Sequence, residues 1–272
     1  MAKNQFDASI LVAPGAKSRL SERDTVGADL FADKAEGAAS LKSDADEIDT
    51  LQDRLWAERT RALLVVLQGV DTSGKDGTVR GVFGKCGPLG VAVTPFGRPT
   101  EEELAHDYLW RVHAATPKKG MIGVFNRSHY EDVLVGKVRK LAAAKAIEQR
   151  YDQINAFEQH LAQNGVVVLK FMLHISKDEQ RERLCERLGD PTKHWKFNPA
   201  DLEDRALWDE YQAAYETVLD RCSTAHAPWR VVPGDKKWRR NAIIASVVRT
   251  TLEEMNPNYP TPDWRASDFT IT

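Results

Sequence analysis

Residues 62–78 read ALLVVLQGVDTSGKDGT and hold the transition on which the fold depends. The apolar run at 62–67 ends in a turn that begins with glycine, a pattern typical of a strand buried on both faces. Residues 69–75 then fit the GxxxxGK phosphate loop, a motif that lies between a strand and a helix. The alternative is a chance glycine turn before a helix.

A phosphate loop binds an anion through its backbone. Small residues let successive N–H groups converge on one centre, and the following helix adds the positive end of its dipole. A lysine at the end of the motif supplies a charge that reaches bridging phosphates. We therefore predict that a phosphate chain is bound by Gly69, Thr72, Ser73, Gly74, Lys75, Gly77 and Thr78.

Two aspartates set this loop apart from the ordinary motif. Asp76 occupies the position where a serine or threonine normally holds Mg²⁺, and we expect it in the first turn of the helix. Asp71 lies inside the loop, where a carboxylate repels phosphate unless a cation lies between them. We predict that Asp71 binds Mg²⁺, with Mn²⁺ as a second candidate ion, or orients the attacking phosphate oxygen. The alternative for Asp71 is a helix N-cap, a role that suits aspartate.

Apolar runs alternate with helical segments along most of the chain. Runs at 91–96, 121–125, 166–175 and 229–232 resemble the first one. Such alternation predicts a parallel sheet with helices on both faces. The expected fold class is α/β, a three-layer α/β/α P-loop kinase fold with a central parallel five-stranded sheet and a helical lid.

The chain divides into three parts on the same grounds. We expect a polar N-terminal arm over 1–44, lying along the body or a neighbouring subunit, and an extended tail over 257–272. Between them we expect one α/β P-loop domain over 45–256, with its lid at about 181–200. The predicted helices cover 45–61, 75–86, 100–115, 130–140, 142–163, 176–188, 201–222 and 237–255.

A second polar cluster follows the third strand, in the stretch VFNRSHYEDV at 124–133. It begins at the sheet edge that carries the phosphate loop, where α/β folds bind ligands. We predict that Arg127 reaches a transferring phosphoryl group, the alternative being a structural ion pair. Asn126 stands where P-loop enzymes place a metal-binding aspartate and is assigned to the binding site, with Glu131 as a candidate catalytic residue. His129 is expected to be a hydrogen-bonded structural residue.

Basic residues follow the fourth strand. Arg183 and Arg187 are four positions apart and share a helix face, and Lys193 and Lys196 follow in a loop. P-loop kinases often carry an arginine-bearing lid here, which closes over the charge and excludes water. The alternative is a solvated helix face whose arginines pair with neighbouring glutamates. Arg80, on the helix after the phosphate loop, is a further candidate for a cationic channel.

Composition narrows the class of protein. The chain has 272 residues with 38 Lys+Arg against 40 Asp+Glu, a formal net charge of −2 that disfavours a main role on nucleic acid or on an anionic membrane. The 3 cysteines are widely spaced and indicate neither a disulfide framework nor a zinc site. No apolar stretch reaches the length of a secretory signal core or a membrane span. We expect a cytoplasmic protein.

Together these motifs resemble the polyphosphate kinase 2 family. The resemblance runs from about residue 45 to residue 260, and its pieces are GVDTSGKDGT (69–78), TPFGRPTEEELAHDYLWRVH (94–113), GVFNRSHYEDVLV (123–135), RLGDPTKHWKFNPADLEDR (187–205) and PWRVVPGDKKWRRN (228–241). It implies Mg²⁺-dependent phosphoryl transfer between inorganic polyphosphate and nucleotides. It also implies that the catalytic or polyphosphate-binding residues are Asp71, Lys75, Arg127, Arg183 and Arg187.

The stretch FNRSHYEDV (125–133) resembles the subclass that acts on both nucleoside mono- and diphosphates. Many members of the family have aspartate where this chain has Asn126. The resemblance therefore implies conversion of AMP to ADP and of ADP to ATP, with adenine or guanine nucleotides, and a homo-oligomer, either a dimer or a tetramer. Two other hypotheses stay open from the residues alone: an ATP-dependent nucleotide kinase and a non-catalytic P-loop sensor of phosphate ligands.

Overall fold

Five parallel strands form one central sheet in the computed structural model, which describes residues 4–271. The strands are β1 (Ala62–Gln68), β2 (Val91–Pro95), β3 (Ile122–Asn126), β4 (Val166–His174) and β5 (Trp229–Pro233). Their order across the sheet is β2-β3-β1-β4-β5, and every neighbouring pair is parallel. The five-stranded parallel sheet expected from the apolar runs is confirmed.

Helices connect and cover the strands. In chain order they are α1 (Asp7–Ile10), α2 (Lys34–Glu58), α3 (Lys75–Phe83), α4 (Glu101–Leu104), α5 (Trp110–Ala114), α6 (Val135–Val138), α7 (Ala144–Gln163), α8 (Lys177–Gly189), α9 (Ala200–Ala206), α10 (Trp208–Cys222) and α11 (Lys237–Met255). Short 3₁₀ turns include His129–Asp132 after β3 and Pro191–Lys196 after α8.

An apolar core lies on each face of the sheet. One core joins the sheet to α2, α3 and α11 through side chains such as Ile48, Val82 and Ile244. The other joins the opposite face to α7 and α10, with Ile154 and Val218 among its buried members. Because β1 is central and covered on both sides, its residues are all buried. The three-layer α/β/α arrangement is confirmed.

The helix predicted over 45–61 begins earlier, at Lys34. Asp33 caps it by accepting a hydrogen bond from the backbone N–H of Glu36 at 2.8 Å. From the sequence Gly37 suggests a break, but here it lets Trp238 pack against the helix, since a Cβ would lie 2.3 Å from the indole ring. The helix therefore crosses residue 44, the expected boundary between arm and domain, without interruption.

Three other predicted helices are shorter or divided. The segment 100–115 forms α4 and α5 with an irregular stretch between them, and 130–140 begins as a 3₁₀ turn before α6. The segment 201–222 is divided at Leu207, where the backbone (φ −96°, ψ 29°) leaves the helical range. Apolar periodicity does not predict these breaks, because it indicates only which side chains face the core.

The N-terminal segment lies along the body, beside β5. Leu11 forms an isolated antiparallel bridge with Arg230, and the Arg230 guanidinium lies 2.8 Å from the Asp7 carboxylate in a buried ion pair. At the other end, residues 257–265 are irregular and a 3₁₀ turn follows at Ala266–Asp268. Residues 1–3 and 272 lie outside the described part of the chain.

The strand order brings the functional segments together. Parallel strands end at the same edge, so the segments that follow β1, β3 and β4 all emerge side by side. These segments contain the phosphate loop, the turn with Arg127, and α8. Among residues 4–271, no helix has both the length and the apolar character needed to cross a membrane.

Candidate active site

The phosphate loop joins β1 to α3. Positive φ angles at Gly69 (153°), Thr72 (65°) and Gly74 (99°) fold it into a tight cradle. At Gly74 an added Cβ would lie 2.0 Å from Nη1 of Arg240, so a larger residue would displace this guanidinium from its contact with the loop. Thr72 is β-branched, and its left-handed backbone is strained unless the surroundings hold it.

Lys75 begins α3 and points into this cradle. It is only 8% exposed, and its Nζ donates to the carbonyl oxygens of Gly69 (2.7 Å) and Val70 (3.3 Å). Burial, together with the nearby charge of Arg127, lowers the pKa of Lys75 to about 8. A phosphate bound in the loop would supply oxygen atoms that compete with these carbonyls for the ammonium group.

Arg127 links the turn after β3 to the phosphate loop. Its Nη2 lies 2.5 Å from Oδ1 of Asp71, and its Nη1 lies 3.4 Å from Oε2 of Glu131. Burial raises the pKa of Glu131, while the charge of Arg127 opposes that rise. The ion pair considered from the sequence is therefore present, and it lies at the mouth of the loop with the Arg127 side chain still 37% exposed.

Asp71 does not cap the following helix. The N-cap of α3 is Gly74, which makes no side-chain capping bond. The N-cap alternative for Asp71 is therefore wrong. Its carboxylate, with the side chain 19% exposed, instead lines the open space in front of the loop.

Asp76 and Asn126 form a second link between the loop region and β3. Asp76 lies in the first turn of α3, as predicted. Nδ2 of Asn126 donates to its Oδ1 at 2.7 Å. An aspartate at 126 would place a second carboxylate beside the first, so the amide suits this contact.

Two buried arginines donate hydrogen bonds to the backbone of the loop. Nη1 of Arg183 donates to the carbonyl oxygens of Thr72 (2.8 Å) and Ser73 (3.1 Å), and Nη1 of Arg240 donates to that of Ser73 at 2.8 Å. Burial, and repulsion from Arg183, lower the pKa of Arg240 to about 9. Because these carbonyls accept hydrogen bonds from buried guanidinium groups, the peptide planes of the loop are held in place.

The place of Arg183 differs from the expected one. From the sequence it belongs to a lid that closes over the substrate. In the structure Arg183 is 5% exposed. Its Nη2 donates to the carbonyls of Gly234 and Asp235, while its Nη1 donates to the loop carbonyls. Arg183 therefore supports the loop by joining it to the residues that follow β5. The spacing of residues on a helix face does not reveal this position.

A cleft of about 520 Å³ opens in front of the loop. On its far wall Arg187 donates to the carbonyl of Lys196 at 3.0 Å and lies 3.2 Å from the Asp201 carboxylate. Lys193 pairs with Asp190 at 3.0 Å. The predicted residues that line this cleft together are Asp71, Thr72, Gly74, Lys75, Gly77, Asn126, Arg127, Arg183, Arg187, Lys193 and Lys196.

Other predicted residues lie elsewhere. Arg80 is exposed on α3, and it is not among the residues that line the cleft. Thr78 is buried, and its hydroxyl donates to Oδ1 of Asn241 at 3.3 Å. Ser73 is also buried, and its carbonyl oxygen accepts hydrogen bonds from Arg183 and Arg240. Gly69 and Glu131 face a second, smaller recess.

This recess adjoins the cleft, and Asp71 and Arg127 border both. Its outer wall comes from α10, which presents Trp208, Tyr211 and Tyr215. Sequence reasoning missed these aromatic residues because on an amphipathic helix they have the spacing of core residues. It also missed Arg240, although the stretch 228–241 that contains it belongs to the family resemblance.

The donor set fits a magnesium ion that is held mainly by substrate. Within residues 4–271, no group of three or more His, Cys, Asp and Glu side chains is arranged to hold a metal. Mg²⁺, however, usually binds one or two carboxylates, several waters and the oxygens of a phosphate substrate. Asp71 meets that need, because its carboxylate is at the cleft and its second oxygen is not used in the contact with Arg127.

Fold and site together define a P-loop phosphotransferase. The family model of polyphosphate kinase 2 (PPK2) matches residues 31–260. The chain belongs to the polyphosphate kinase 2 family, and the match begins close to the start of α2.

Individual relatives agree with this assignment. The chain is 51% identical over 224 residues to an AMP/ADP-polyphosphate phosphotransferase of Meiothermus ruber, covering 82% of this chain and 84% of that protein. An ADP-polyphosphate phosphotransferase of Rhodopseudomonas palustris is 40% identical over 232 residues, covering 81% and 80%. The crystal structure of polyphosphate kinase 2 from Arthrobacter aurescens TC1 superposes with a TM-score of 0.92 at 39% identity, covering 98% of this chain and 95% of that chain.

Proposed function

We propose that the protein transfers phosphoryl groups, with Mg²⁺, between inorganic polyphosphate and adenine or guanine nucleotides, converting AMP to ADP and ADP to ATP. The observation that carries the proposal is the meeting of Lys75, Asp71 and Arg127 at the mouth of one phosphate loop. The names of the Meiothermus ruber and Rhodopseudomonas palustris relatives support polyphosphate as the donor and AMP and ADP as acceptors.

The cleft suits a polyanionic donor. Lys75 and the loop amides would bind the phosphate nearest the reaction, and the cations of the far wall, Arg187, Lys193 and Lys196, would bind phosphates further along the chain. Arg183 and Arg240 would act on the donor indirectly, by fixing the loop. A donor made of identical phosphates needs no base-specific pocket on this side.

The transfer would be direct. An oxygen of the acceptor's terminal phosphate attacks the terminal phosphorus of polyphosphate, and the P–O bond to the rest of the chain breaks with its electron pair on the shortened chain. Arg127 is placed to neutralise charge on the transferring group, and Glu131 to hold Arg127 in position. Mg²⁺, held by Asp71 and substrate oxygens, would neutralise phosphate charge.

A single assay tests this proposal. The purified protein is incubated with Mg²⁺, long-chain polyphosphate and either AMP or ADP, and product nucleotides are separated by chromatography. We expect ATP to form and its formation to disappear with EDTA and in Asp71→Asn and Lys75→Ala. Lys119→Ala, at an exposed lysine before β3, and Asp152→Asn, at a carboxylate 84% exposed on α7, serve as matched controls.

Other outcomes would replace the proposal. Transfer from ATP to a nucleotide without transfer from polyphosphate would indicate an ATP-dependent kinase. Binding of polyphosphate without either transfer would indicate a sensor of phosphate ligands. We also propose a cytoplasmic location and a homo-oligomer, dimer or tetramer, and light scattering on the purified protein tests the oligomeric state.

A further inference from the structure

A fully buried charged network lies beneath the turn that carries Arg127. Lys170, in the middle of β4, and Glu158, on α7, have side chains with no exposed surface, and Nζ of Lys170 lies 2.5 Å from Oε2 of Glu158. Lys170 holds the pKa of Glu158 below its ordinary value, although burial alone would raise it. The carboxylate of Glu158 is therefore favoured in its ionised form, although its side chain has no contact with solvent.

The network reaches the active-site turn directly. The hydroxyl of Tyr130 accepts a hydrogen bond from Nζ of Lys170 at 2.8 Å and donates to Oε1 of Glu158 at 2.8 Å. Nε2 of His129 lies 3.2 Å from the same carboxylate oxygen. Both residues belong to the 3₁₀ turn His129–Asp132, which also carries Glu131 and directly follows Arg127 and Ser128.

The same lysine also contacts the C-terminal end of the helix that forms the recess wall. The third donor of Lys170 goes to the carbonyl oxygen of Cys222 at 2.7 Å. Cys222 ends α10, the helix that presents Trp208, Tyr211 and Tyr215 to the recess. One ammonium group therefore ties the turn after β3, helix α7 and the end of α10 to the central sheet.

Stability alone does not account for such a pair. Taking two charges out of water costs several kcal/mol per ion, and apolar residues of similar volume often serve a core as well or better. The turn itself needs external support, because Arg127 has a left-handed backbone (φ 62°) that a residue with a side chain adopts at a cost. A fully satisfied polar network supplies directional contacts that an apolar core lacks.

We infer, given the role proposed above for Arg127, that Lys170, Glu158 and Tyr130 are positioning residues for phosphoryl transfer. They hold Arg127 and Glu131 at a fixed distance from the recess wall on α10. Their loss displaces Arg127 and Glu131, while the other cations of the cleft, Lys75, Arg187, Lys193 and Lys196, keep their own contacts. The network therefore acts on turnover more than on donor binding.

The test compares two buried ion pairs. Lys170→Met/Glu158→Gln removes the charges at nearly constant volume, and Gln still accepts from Tyr130. Arg230→Met/Asp7→Asn makes the same kind of change in a buried pair that touches neither cleft nor recess. We expect kcat to fall roughly 10- to 100-fold in the first variant, with the KM for polyphosphate changed less than about threefold. The second variant should keep the wild-type kcat below its melting temperature.

Hydrogen–deuterium exchange of residues 127–132 supplies a readout that does not depend on catalysis. Exchange should rise in Lys170→Met/Glu158→Gln and stay at the wild-type level in the control. If the double variant fails to fold, Tyr130→Phe, which removes one hydroxyl, should lower kcat and raise the same exchange. Unchanged kcat in a folded network variant, or equal loss of kcat in the control, would overturn the inference. A wild-type protein without transfer from polyphosphate would refute the proposed function, while unchanged exchange would refute the positioning role.

Discussion

Nη2 of Arg127 lies 2.5 Å from Oδ1 of Asp71, so an ion pair joins the turn after β3 to the phosphate loop after β1. The same guanidinium reaches Glu131 at 3.4 Å. An arginine between two carboxylates is pre-oriented, because its planar donors are already aligned before a phosphate enters.

Loss of the planar donors at Arg127 should impair turnover. We expect Arg127→Met to lower kcat roughly 10²- to 10³-fold, the size typical of one lost transition-state donor. Arg127→Lys should recover little, because a lysine does not reach both carboxylates in one plane. Steady-state rates of ATP formation from ADP measure both effects.

Arg249→Met is the matched control for Arg127. Arg249 also bridges two carboxylates, at 2.7 Å from Asp44 and 2.6 Å from Glu253, and it does not line the cleft or the recess. A kcat for Arg127→Met within about threefold of that of Arg249→Met would show that the Arg127 pairs serve only the fold.

Gly74 should not tolerate a side chain. Gly74→Ala adds a Cβ that would meet Arg240, at a residue with φ of 99°, and we expect the free energy of unfolding to fall by about 1–3 kcal/mol. Gly189→Ala is the control, since nothing lies within 4 Å of its added Cβ. In a double-mutant cycle, Arg240→Ala should relieve part of the loss caused by Gly74→Ala; strict additivity would argue against a clash with this arginine.

The pH dependence should report Lys75. Its pKa is lowered to about 8, so the ammonium is charged below that pH and loses its proton above it. Because the charged form attracts phosphate, kcat/KM for polyphosphate should be level below about pH 8 and then fall about tenfold per pH unit. The guanidinium of Lys75→Arg keeps its proton, so this limb should vanish from the residual activity of that variant. The same fall of kcat/KM above about pH 8 in Lys75→Arg would assign the titration to another group.

The hydrogen bond between Asn126 and Asp76 requires an amide on one side and a carboxylate on the other. Nδ2 of Asn126 lies 2.7 Å from Oδ1 of Asp76, so Asn126→Asp places two carboxylates beside each other. The substitution also adds negative charge to the cleft that is proposed to bind polyphosphate. We expect a weaker kcat/KM for polyphosphate. The exchange Asn126→Asp/Asp76→Asn restores the hydrogen bond and the net charge, so it should recover much of the loss. No recovery would mean that Asn126 acts through a contact other than Asp76.

Local sequence was sufficient to predict those elements that depend only on neighbouring residues. The apolar run 62–67, followed by GVDTSGK, predicts a central strand and a phosphate loop, and both are present at β1 and 69–75. The parallel sheet followed from the same kind of pattern. The start of α2 was not predicted, because Gly37 suggests a break in the helix. In the structure Gly37 is the contact point for Trp238, a residue that no local pattern connects with it.

Contacts over long chain distances explain what the sequence did not show. Arg240 reaches Ser73 across 167 positions, and Arg183 reaches the same carbonyl across 110. The aromatic wall of the recess and the pair of Lys170 with Glu158 likewise depend on which helix packs on which face of the sheet. The arginines and the aromatic residues have ordinary chemistry for their helices, whereas Lys170 interrupts an apolar run and its partner is set by the tertiary packing.

The sequence by itself determined the phosphate loop, the strand–helix alternation and the presence of Asp71, Lys75 and Arg127, because short-range spacing and residue type specify them. Only the tertiary structure decided that Arg127 meets Asp71, that Arg183 is a support of the loop, and that a buried lysine lies beneath the active-site turn. The physical reason is the strand order, which sets residues from distant segments side by side and is not encoded in any one of them.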